Sequence, residues 1–275
     1  MYEKEADIAI SVANEAGEIL RSAFKSKHAN NITYKKHNEP VSEVDLASNK
    51  IIIERLKSAF PNYSILSEEM ENSDNFEMSD QLTWVIDPLD GTSNFTRGIP
   101  LFAITIALIK DKEPVLGLIY DPIQDELFLA EAGKGTTLNG EKISVSDRDI
   151  HGRRMLMAGR AHDNESVIRH GQILYALEKT TSYFRRLGSA AIMLTTVACG
   201  RTEGVILTGA KSWDTAAGAL LVKEAGGVIT DYCGHPWNVC CRDLVASNGH
   251  IHEEIIKATE TIEAAECTYD PDCTR

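Results

Sequence analysis

The sequence predicts an α+β protein, and three patterns along the chain support this prediction. Apolar residues recur at helical spacing near the N-terminus, three β-rich runs follow one another in the middle, and helix-like and strand-like segments alternate after about residue 150. No Pro/Gly-rich linker separates these parts. We therefore expect two subdomains, 1–145 (α+β) and 146–265 (α/β), packed as one compact body, with a flexible tail at 266–275.

The N-terminal part contains two predicted helices. Ile8, Val12 and Ala16 follow helical spacing and predict an amphipathic helix over residues 4–26. The polar stretch "NNITYKKHNEP" interrupts it. Ser42 then opens a second helix, which ends before "FPNY".

The middle of the chain predicts an antiparallel meander. Its strands are "LFAITIALIK", "PVLGLIYD" and "ELFLAEAG", separated by turn signals, and Asn139-Gly140 marks a further tight turn just beyond them. These strands follow the apolar run "WVI" at residues 84–86, which we predict to be a strand as well.

The last part predicts alternating helices and strands. "SAAIMLTTVACG" is expected to form a helix that ends at Gly200, and "EGVILTG" a strand. "WDTAAGALLVKEAGG" is expected to form another helix ending in two glycines, followed by the strand "VITD".

Composition excludes several functional classes. The 275 residues are 43% hydrophobic and 25% charged, as in ordinary globular proteins. A net charge of -13 argues against a nucleic-acid-binding surface, which would need Lys and Arg. No apolar run approaches the roughly 20 residues that span a membrane. The start "MYEKEADIAI" lacks a signal-peptide pattern, so we expect a cytoplasmic protein that binds neither nucleic acid nor membrane.

The six cysteines carry no predicted function. None has the C-x-x-C spacing of a zinc site, and we expect reduced thiols. The alternatives are a disulfide between Cys267 and Cys273 or an adventitious metal site. The six are Cys199, Cys233, Cys240, Cys241, Cys267 and Cys273.

The segment "WVIDPLDGTSNF", residues 84–95, is the main candidate site. Asp87 and Asp90 lie on either side of Pro88 where the predicted strand ends, and Gly91 lets the backbone approach a ligand closely. Two carboxylates this close repel each other unless a cation lies between them. The alternative is an ordinary Asp-Pro turn. A helix that begins after Thr92 would point free N–H groups at the same place and favour a phosphate there.

Two other motifs do not fit this segment. An EF-hand loop needs oxygen ligands at positions 1, 3 and 5 and glycine at position 6, whereas here the acids are three residues apart and the glycine comes fifth. The D-x-D-G-T motif of aspartyl-phosphate phosphatases is one residue shorter than D-P-L-D-G-T.

Further acids stand where a metal cluster needs them, and each has a structural alternative. Glu68 and Glu69 follow a short apolar run, but such a pair also fits a solvated acidic loop. Asp214 begins a predicted helix and could be a plain N-cap. Asp45 follows Ser42 at capping-box spacing.

Taken together, these segments resemble the inositol monophosphatase family, magnesium-dependent, lithium-sensitive sugar phosphatases related to fructose-1,6-bisphosphatase. The residues that carry the resemblance are "SEE" at 67–69, "WVIDPLDGTSNF" at 84–95 and "WDTAAGALLVKEAGG" at 213–227, with Lys36 and Asp45 upstream. It covers roughly residues 5–245. It implies a layered α-β-α-β-α sandwich, a homodimer, and hydrolysis of inositol 1-phosphate or a similar sugar or polyol phosphate.

The resemblance also implies roles for the site residues. Glu68, Asp87 and the carbonyl of Leu89 would hold one Mg²⁺, and Asp87 would bridge to a second, completed by Asp90 and Asp214; the site would take two or three ions. These ligands lie mostly in the first subdomain.

A catalytic step follows from the same resemblance. Gly91 and Thr92 would bind phosphate through backbone N–H groups. Glu68, Thr92 and Asp45 would position and deprotonate a metal-activated water, and no phosphoenzyme would form.

Substrate choice is less determined by the sequence. The resemblance implies that inositol-preferring members commonly carry a Glu several residues before the Trp-Asp pair, whereas the stretch "GVILTGAKS" contains no acid and Leu207 stands near that place, which argues against strict inositol specificity. Basic residues could instead accept a second anionic group, although they also fit a solvated surface. The candidate substrate contacts are Arg185, Arg186, Ser189 and Lys211, together with Asp90 and Asp214.

Three alternative functions therefore stay open. The first is a fructose-1,6-bisphosphatase or a dual-specificity enzyme. The second is a 3'(2'),5'-bisphosphate nucleotidase. The third is a catalytically silent binding module, which the complete set of site acids argues against.

Overall fold

The structure is a computed structural model that describes residues 2–26, 32–34, 40–71, 73, 81–149, 154–178 and 183–260. The predictions for Lys36, for Cys267 and Cys273, and for the tail at 266–275 lie outside these residues.

Two sheets and a strand pair form the β-structure. The pair is antiparallel and consists of β1 (Ile32–Tyr34) and β2 (Pro40–Ser42). The first sheet has seven strands in the order of the chain: β3 (Ser64–Ser67), β4 (Thr83–Asp90), β5 (Ala103–Lys110), β6 (Glu113–Asp121), β7 (Glu126–Glu131), β8 (Gly135–Leu138) and β9 (Glu141–Ile143). β3 runs parallel to β4, and every later neighbour is antiparallel.

The second sheet has five strands in the order β11-β10-β12-β14-β13. These strands are β10 (Met155–Arg160), β11 (Tyr183–Arg185), β12 (Gly204–Thr208), β13 (Val228–Thr230) and β14 (Leu244–Ser247). β10 is parallel to both β11 and β12, whereas β14 is antiparallel to β12 and β13. The sheet is therefore mixed.

Seven helices lie within the described residues. They are α1 (Glu3–Ser26), α2 (Glu43–Ala59), α3 (Thr92–Thr96), α4 (Asn164–Leu177), α5 (Ala190–Ala198), α6 (Ser212–Glu224) and α7 (His252–Glu260). α2 begins after Ser42, whose side chain forms the predicted capping box with Asp45.

The helices and sheets alternate in five layers. α1 and α2 cover the outer face of the seven-stranded sheet, α5 and α6 fill the space between the sheets, and α4 and α7 cover the outer face of the five-stranded sheet. Three clusters of buried apolar side chains hold the layers together: one lies under α1 and α2, one surrounds α5 and α6 and reaches both sheets, and one lies under α4 and α7. The predicted α-β-α-β-α sandwich is confirmed.

Most predicted elements are confirmed, with two corrections. The strand that begins at residue 83 does not end at Ile86 but continues to Asp90, so both aspartates belong to β4. The later elements form a mixed sheet instead of a purely alternating α/β arrangement. The change of sheet falls between β9 and β10, near the predicted boundary at residue 145, and the two subdomains stay a prediction.

The cysteines and the membrane criterion can be checked on the described residues. Cys199 and Cys241 are free thiols, as expected, whereas Cys240 is disulfide-bonded, so the prediction of reduced thiols is wrong for Cys240. Among the described helices, none is both long enough and apolar enough to cross a membrane.

Helix α6 packs unusually close to strand β6, and a glycine makes this possible. A Cβ atom at Gly117 would lie 2.7 Å from the backbone oxygen of Ala217, which is shorter than real carbon–oxygen contacts allow. Because the obstacle is backbone, the helix itself would have to move. The close contact fixes α6 against the sheet and thereby sets the position of Asp214 near the start of that helix.

The substitution Gly117→Ala is expected to destabilise the protein by about 1–3 kcal/mol through overpacking. Gly171→Ala is the matched control, because nothing lies within 4 Å of a Cβ at Gly171 in α4 and alanine favours helices. The measurement is the free energy of unfolding in urea. Equal stability of the Gly117→Ala variant and the wild type would contradict this account of the contact.

Candidate active site

An extra residue in β4 brings Asp87 and Asp90 to the same side of the sheet. In a regular strand, residues three positions apart point to opposite faces. Here Asp87 pairs with Thr105 and Asp90 with Ala103, so three steps on β4 oppose two steps on β5. Such a bulge turns the following side chain to the other face. Both carboxylates therefore point toward the same place.

A third acid joins this pair from another element. One carboxylate oxygen from each of Asp87, Asp90 and Asp214 lies within 4.8 Å of the other two. Asp214 comes from the first turn of α6, where its Oδ2 accepts a hydrogen bond of 2.9 Å from the backbone N–H of Lys211. Glu68, just beyond β3, lines the same cavity but is not part of this close group.

Burial and nearby carboxylates raise the pKa values of Asp87 and Asp90. Burial, and then the charges of Glu68, Asp90 and Asp214, raise the pKa of Asp87 well above its usual range. Burial raises the pKa of Asp90 to about 6, although hydrogen bonds from Ser189, Ala191 and Ala190 oppose the shift. The group as built carries an excess of negative charge that a cation would relieve.

The donors to Asp90 come from the start of helix α5. The Ser189 hydroxyl and the Ala191 N–H donate to Oδ2 at 2.5 and 2.7 Å, and the Ala190 N–H donates to Oδ1 at 3.3 Å. Ser189, a predicted substrate contact, therefore holds a carboxylate and is also the N-cap of α5.

Thr105 connects β4 to α6 and was not identified from the sequence. Its hydroxyl donates to the carbonyl of Trp213 at 2.7 Å and accepts from the N–H of Asp87 at 3.3 Å. This one buried side chain thereby links the backbone at Asp87 to the residue next to Asp214, although the two acids lie 127 residues apart in sequence. A threonine inside an apolar strand was the only signal available.

A second hydrogen-bonded group surrounds Thr92. Its hydroxyl lies 3.0 Å from both Asp45 Oδ1 and the carbonyl oxygen of Leu89, and its single proton can go to one of them at a time. Asp45 is buried, and its Oδ2 accepts hydrogen bonds from the backbone N–H and the hydroxyl of Ser42. Burial raises the pKa of Asp45, and the bonds from Ser42 and Thr92 partly offset this.

The turn into α3 requires glycine. Gly91 has a φ of 95°, and a Cβ there would lie 2.9 Å from the backbone oxygen of Leu101. α3 begins at Thr92, and the first N–H groups of a helix have no intrahelical acceptor. The helix considered at this point is therefore present, and it begins at Thr92 itself.

The donor set fits a hard divalent cation. Three converging carboxylates and the nearby carbonyl of Leu89 offer only oxygen atoms, which Mg²⁺ and Ca²⁺ prefer. Among the residues that the structure describes, no thiol or imidazole takes part in this group. Burial raises the pKa values of Asp87 and Asp90 because it disfavours their charged forms, and a bound cation would counter this effect.

A cavity of about 890 Å³ opens over the acids. Among its lining residues are the predicted Arg186, Ser189, Lys211 and Leu207. Arg185 does not line it: this side chain is exposed, and its guanidinium lies 5.8 Å from the ring centroid of Tyr183. We therefore withdraw Arg185 as a candidate substrate contact.

The cavity is also lined by Arg160 and Arg242, two cationic residues that were not identified from the sequence. Arg160 ends β10 and Arg242 precedes β14. Neither stands in a recognisable motif, and only the sheet brings them to the site.

A second group of potential ligands lies away from this cavity. Asp231, Cys233 and His235 have ligand atoms within 4.8 Å of one another. Asp231 Oδ1 already accepts hydrogen bonds from the N–H groups of Cys233 and His235, which holds the turn together.

Comparison with known proteins agrees with this geometry. The sequence profile of the inositol monophosphatase family matches residues 1–264. The chain belongs to the inositol monophosphatase family. Its members are metal-dependent phosphoric monoester hydrolases, and the carboxylate group at the end of β4 supplies the ligands that such an enzyme needs.

Individual relatives extend over nearly the whole chain. Inositol monophosphatase 2 of Solanum lycopersicum is 39% identical over 263 residues, covering 93% of this chain and 98% of the relative. The Nus factor SuhB of Escherichia coli K12 is 35% identical over 247 residues, covering 89% and 91%. Among solved structures, the Thermotoga maritima IMPase has a TM-score of 0.84 at 32% identity, covering 94% of this chain and 97% of that one.

The substitution Thr105→Val is expected to cost about 1–3 kcal/mol of stability, because it leaves the buried Trp213 carbonyl and Asp87 N–H without their partner. Thr137→Val is the matched control, since its hydroxyl is only partly buried and makes a long bond of 3.4 Å to Leu129. Urea unfolding measures both. If the two variants lose the same stability, Thr105 does not hold β4 to α6.

Proposed function

We propose that this protein is a Mg²⁺-dependent phosphomonoesterase acting on a small sugar or polyol phosphate, with inositol 1-phosphate as the first candidate. The observation that carries the proposal is the convergence of Asp87, Asp90 and Asp214 on one point beside Thr92. Family membership over residues 1–264 and the relatives named inositol monophosphatase support it.

In this proposal the acids hold two or three magnesium ions. Glu68, Asp87 and the carbonyl of Leu89 would bind one, and Asp87, Asp90 and Asp214 another. When bound, the ions would supply positive charge that polarises the phosphate ester and lowers the pKa of a water. The hydrogen bonds to Asp90 from the start of α5 keep its carboxylate directed into the site.

The chain's own residues would orient the phosphate and move the proton. The N–H groups of Gly91 and Thr92 lie at the start of α3, where an anion is favoured. If the Thr92 hydroxyl donates to Asp45, its oxygen can accept a hydrogen bond from the attacking water. Thr92 can then take a proton from that water while passing its own to Asp45, whose raised pKa suits a base.

The narrower points of the proposal rest on the resemblance to the family. A homodimer, a cytoplasmic location and inhibition by lithium all stay predictions. Leu207 argues against strict inositol specificity, because this buried side chain lines the cavity and offers no hydrogen bond to a sugar hydroxyl. A fructose-1,6-bisphosphatase or dual-specificity enzyme is the second candidate, supported by the arginines that line the cavity.

Phosphate release from a panel of esters tests the proposal. The panel contains inositol 1-phosphate, fructose 1,6-bisphosphate, 3'-phosphoadenosine 5'-phosphate and NADP, each with magnesium and with chelator. We expect release from at least one ester that chelator abolishes. Lithium is then added to each ester that is cleaved with magnesium, to test the predicted inhibition.

The site variant Asp90→Asn serves as the specific control for this panel. It removes one carboxylate of the close group while the fold stays intact, so turnover should fall by at least a hundredfold with an unchanged circular dichroism spectrum. Full activity of the variant, or release that chelator does not affect, would refute the metal assignment. A silent panel from folded protein would favour the binding module.

The substitution Thr92→Ala is expected to lower kcat by about 10²–10⁴-fold, the usual contribution of a proton-transfer group, with little change in magnesium affinity. Thr96→Ala in the same short helix is the matched control, because its hydroxyl bonds only the helix backbone. Steady-state kinetics and magnesium titration separate the two effects. Weaker magnesium binding with an unchanged kcat would argue against proton transfer through Thr92.

A further inference from the structure

Three arginines lie at the same end of the strands of the second sheet. Arg160 is the last residue of β10, Arg186 follows the last residue of β11, and these strands run parallel. Arg242 precedes β14, which is antiparallel to β12 and therefore begins at the edge where β10 and β12 end. All three line the cavity that also contains the acids of β4.

These arginines have little to neutralise them. Arg160 donates a hydrogen bond to the Ala161 carbonyl at 2.9 Å, and Arg242 donates to the Gly209 carbonyl at 3.3 Å, both uncharged acceptors. The Nε of Arg242 is buried without a hydrogen-bond partner among the described residues. Within the same residues, no ion pair joins Arg160, Arg186 or Arg242 to a carboxylate.

Two acids near these arginines already have other ion-pair or hydrogen-bond partners. Asp243, next to Arg242 in sequence, is buried in an ion pair of 2.5 Å with Arg169 and accepts from the Gly209 N–H. Asp163 also lines the cavity and lies near Arg242, but it caps α4 by accepting two hydrogen bonds from Ser166. Against the effect of burial, the hydrogen bonds from Ser166 and the charge of Arg242 lower the pKa of Asp163, and those hydrogen bonds already hold this carboxylate at the start of α4.

The positive charge is concentrated enough to affect its neighbours. Burial and the charge of Arg160 lower the pKa of Arg186. Burial, followed by the charges of Arg186 and Arg160, lowers the pKa of the buried His170 to about 4. Like charges held together in this way are stable when an anion lies between them.

We infer that Arg160, Arg186 and Arg242 form a subsite for a second anionic group of the substrate, a phosphate or a carboxylate. This inference rests on the proposed function, because the acids of β4 would hold the phosphate that is cleaved. The cavity then has an acidic part, formed by β4 and the start of α6, and a basic part at the strand ends of the second sheet. A substrate with an anion at each end matches both, whereas a monophosphate with a neutral polyol leaves the arginines unpaired.

Three hexose derivatives that differ only at C1 test this subsite. They are glucitol 6-phosphate, glucitol 1,6-bisphosphate and 6-phosphogluconate, with an alcohol, a phosphate and a carboxylate at C1. We expect kcat/KM for one of the two anionic compounds to exceed that for glucitol 6-phosphate by at least tenfold. The preferred compound identifies the second group as phosphate or carboxylate.

The double variant Arg160→Gln/Arg186→Gln should lose at least tenfold of that preference. Arg185→Gln is the matched control, since it removes the adjacent arginine, which does not line the cavity. The thermal unfolding midpoint of each variant is measured in parallel. If the double variant does not fold, the single variant Arg160→Lys, which keeps the charge, should retain more of the preference than Arg160→Gln.

The outcomes separate this inference from the proposed function. Chelator-sensitive release that is equal for all three compounds would overturn the subsite and leave the phosphatase standing. So would an equal loss on all three compounds in the double variant. If no compound is cleaved, calorimetry decides: tighter binding of an anionic compound that depends on Arg160 and Arg186 supports the subsite, and equal binding of all three overturns it.

Discussion

Electrostatic repulsion among buried carboxylates is the constraint on which this site depends. Asp87, Asp90 and Asp214 converge within 4.8 Å of one another, with Glu68 close enough to raise two of their pKa values. Such an arrangement costs free energy in the folded protein. The fold tolerates it because backbone and hydroxyl donors share the charge, and because the oxygen-only donor set suits divalent cations.

The layered architecture explains how residues distant in sequence reach one cavity. The seven-stranded sheet supplies Asp87 and Asp90, the middle helices supply Asp214 and the donors to Asp90, and the five-stranded sheet supplies the arginines. The close contact at Gly117 and the hydrogen bonds of Thr105 fix the position of helix α6 relative to the seven-stranded sheet. The aspartates of the first sheet and the arginines at the strand ends of the second sheet therefore line one cavity.

Much of the fold could be predicted from the sequence, because local patterns determine local structure. Helical spacing of Ile8 and Val12 reflects a helix covered on one side, and the capping box at Ser42 marks the start of the next. The length of β4 could not be predicted. Pro88 suggested a turn, but β5 pairs with β4 beyond the last residue that pairs with β3 and extends the strand through a bulge to Asp90.

The sequence by itself determined the candidate acids, the glycine turn and the family, because these depend on residue identity and spacing within short segments. The tertiary structure alone decided which charges share the cavity. Arg185 and Arg186 are neighbours in sequence, yet only Arg186 lines it, and Arg160 and Arg242 join from other strands. The reason is physical: side-chain direction at the end of a strand depends on pairing with neighbouring strands, and that pairing involves residues far away in the chain.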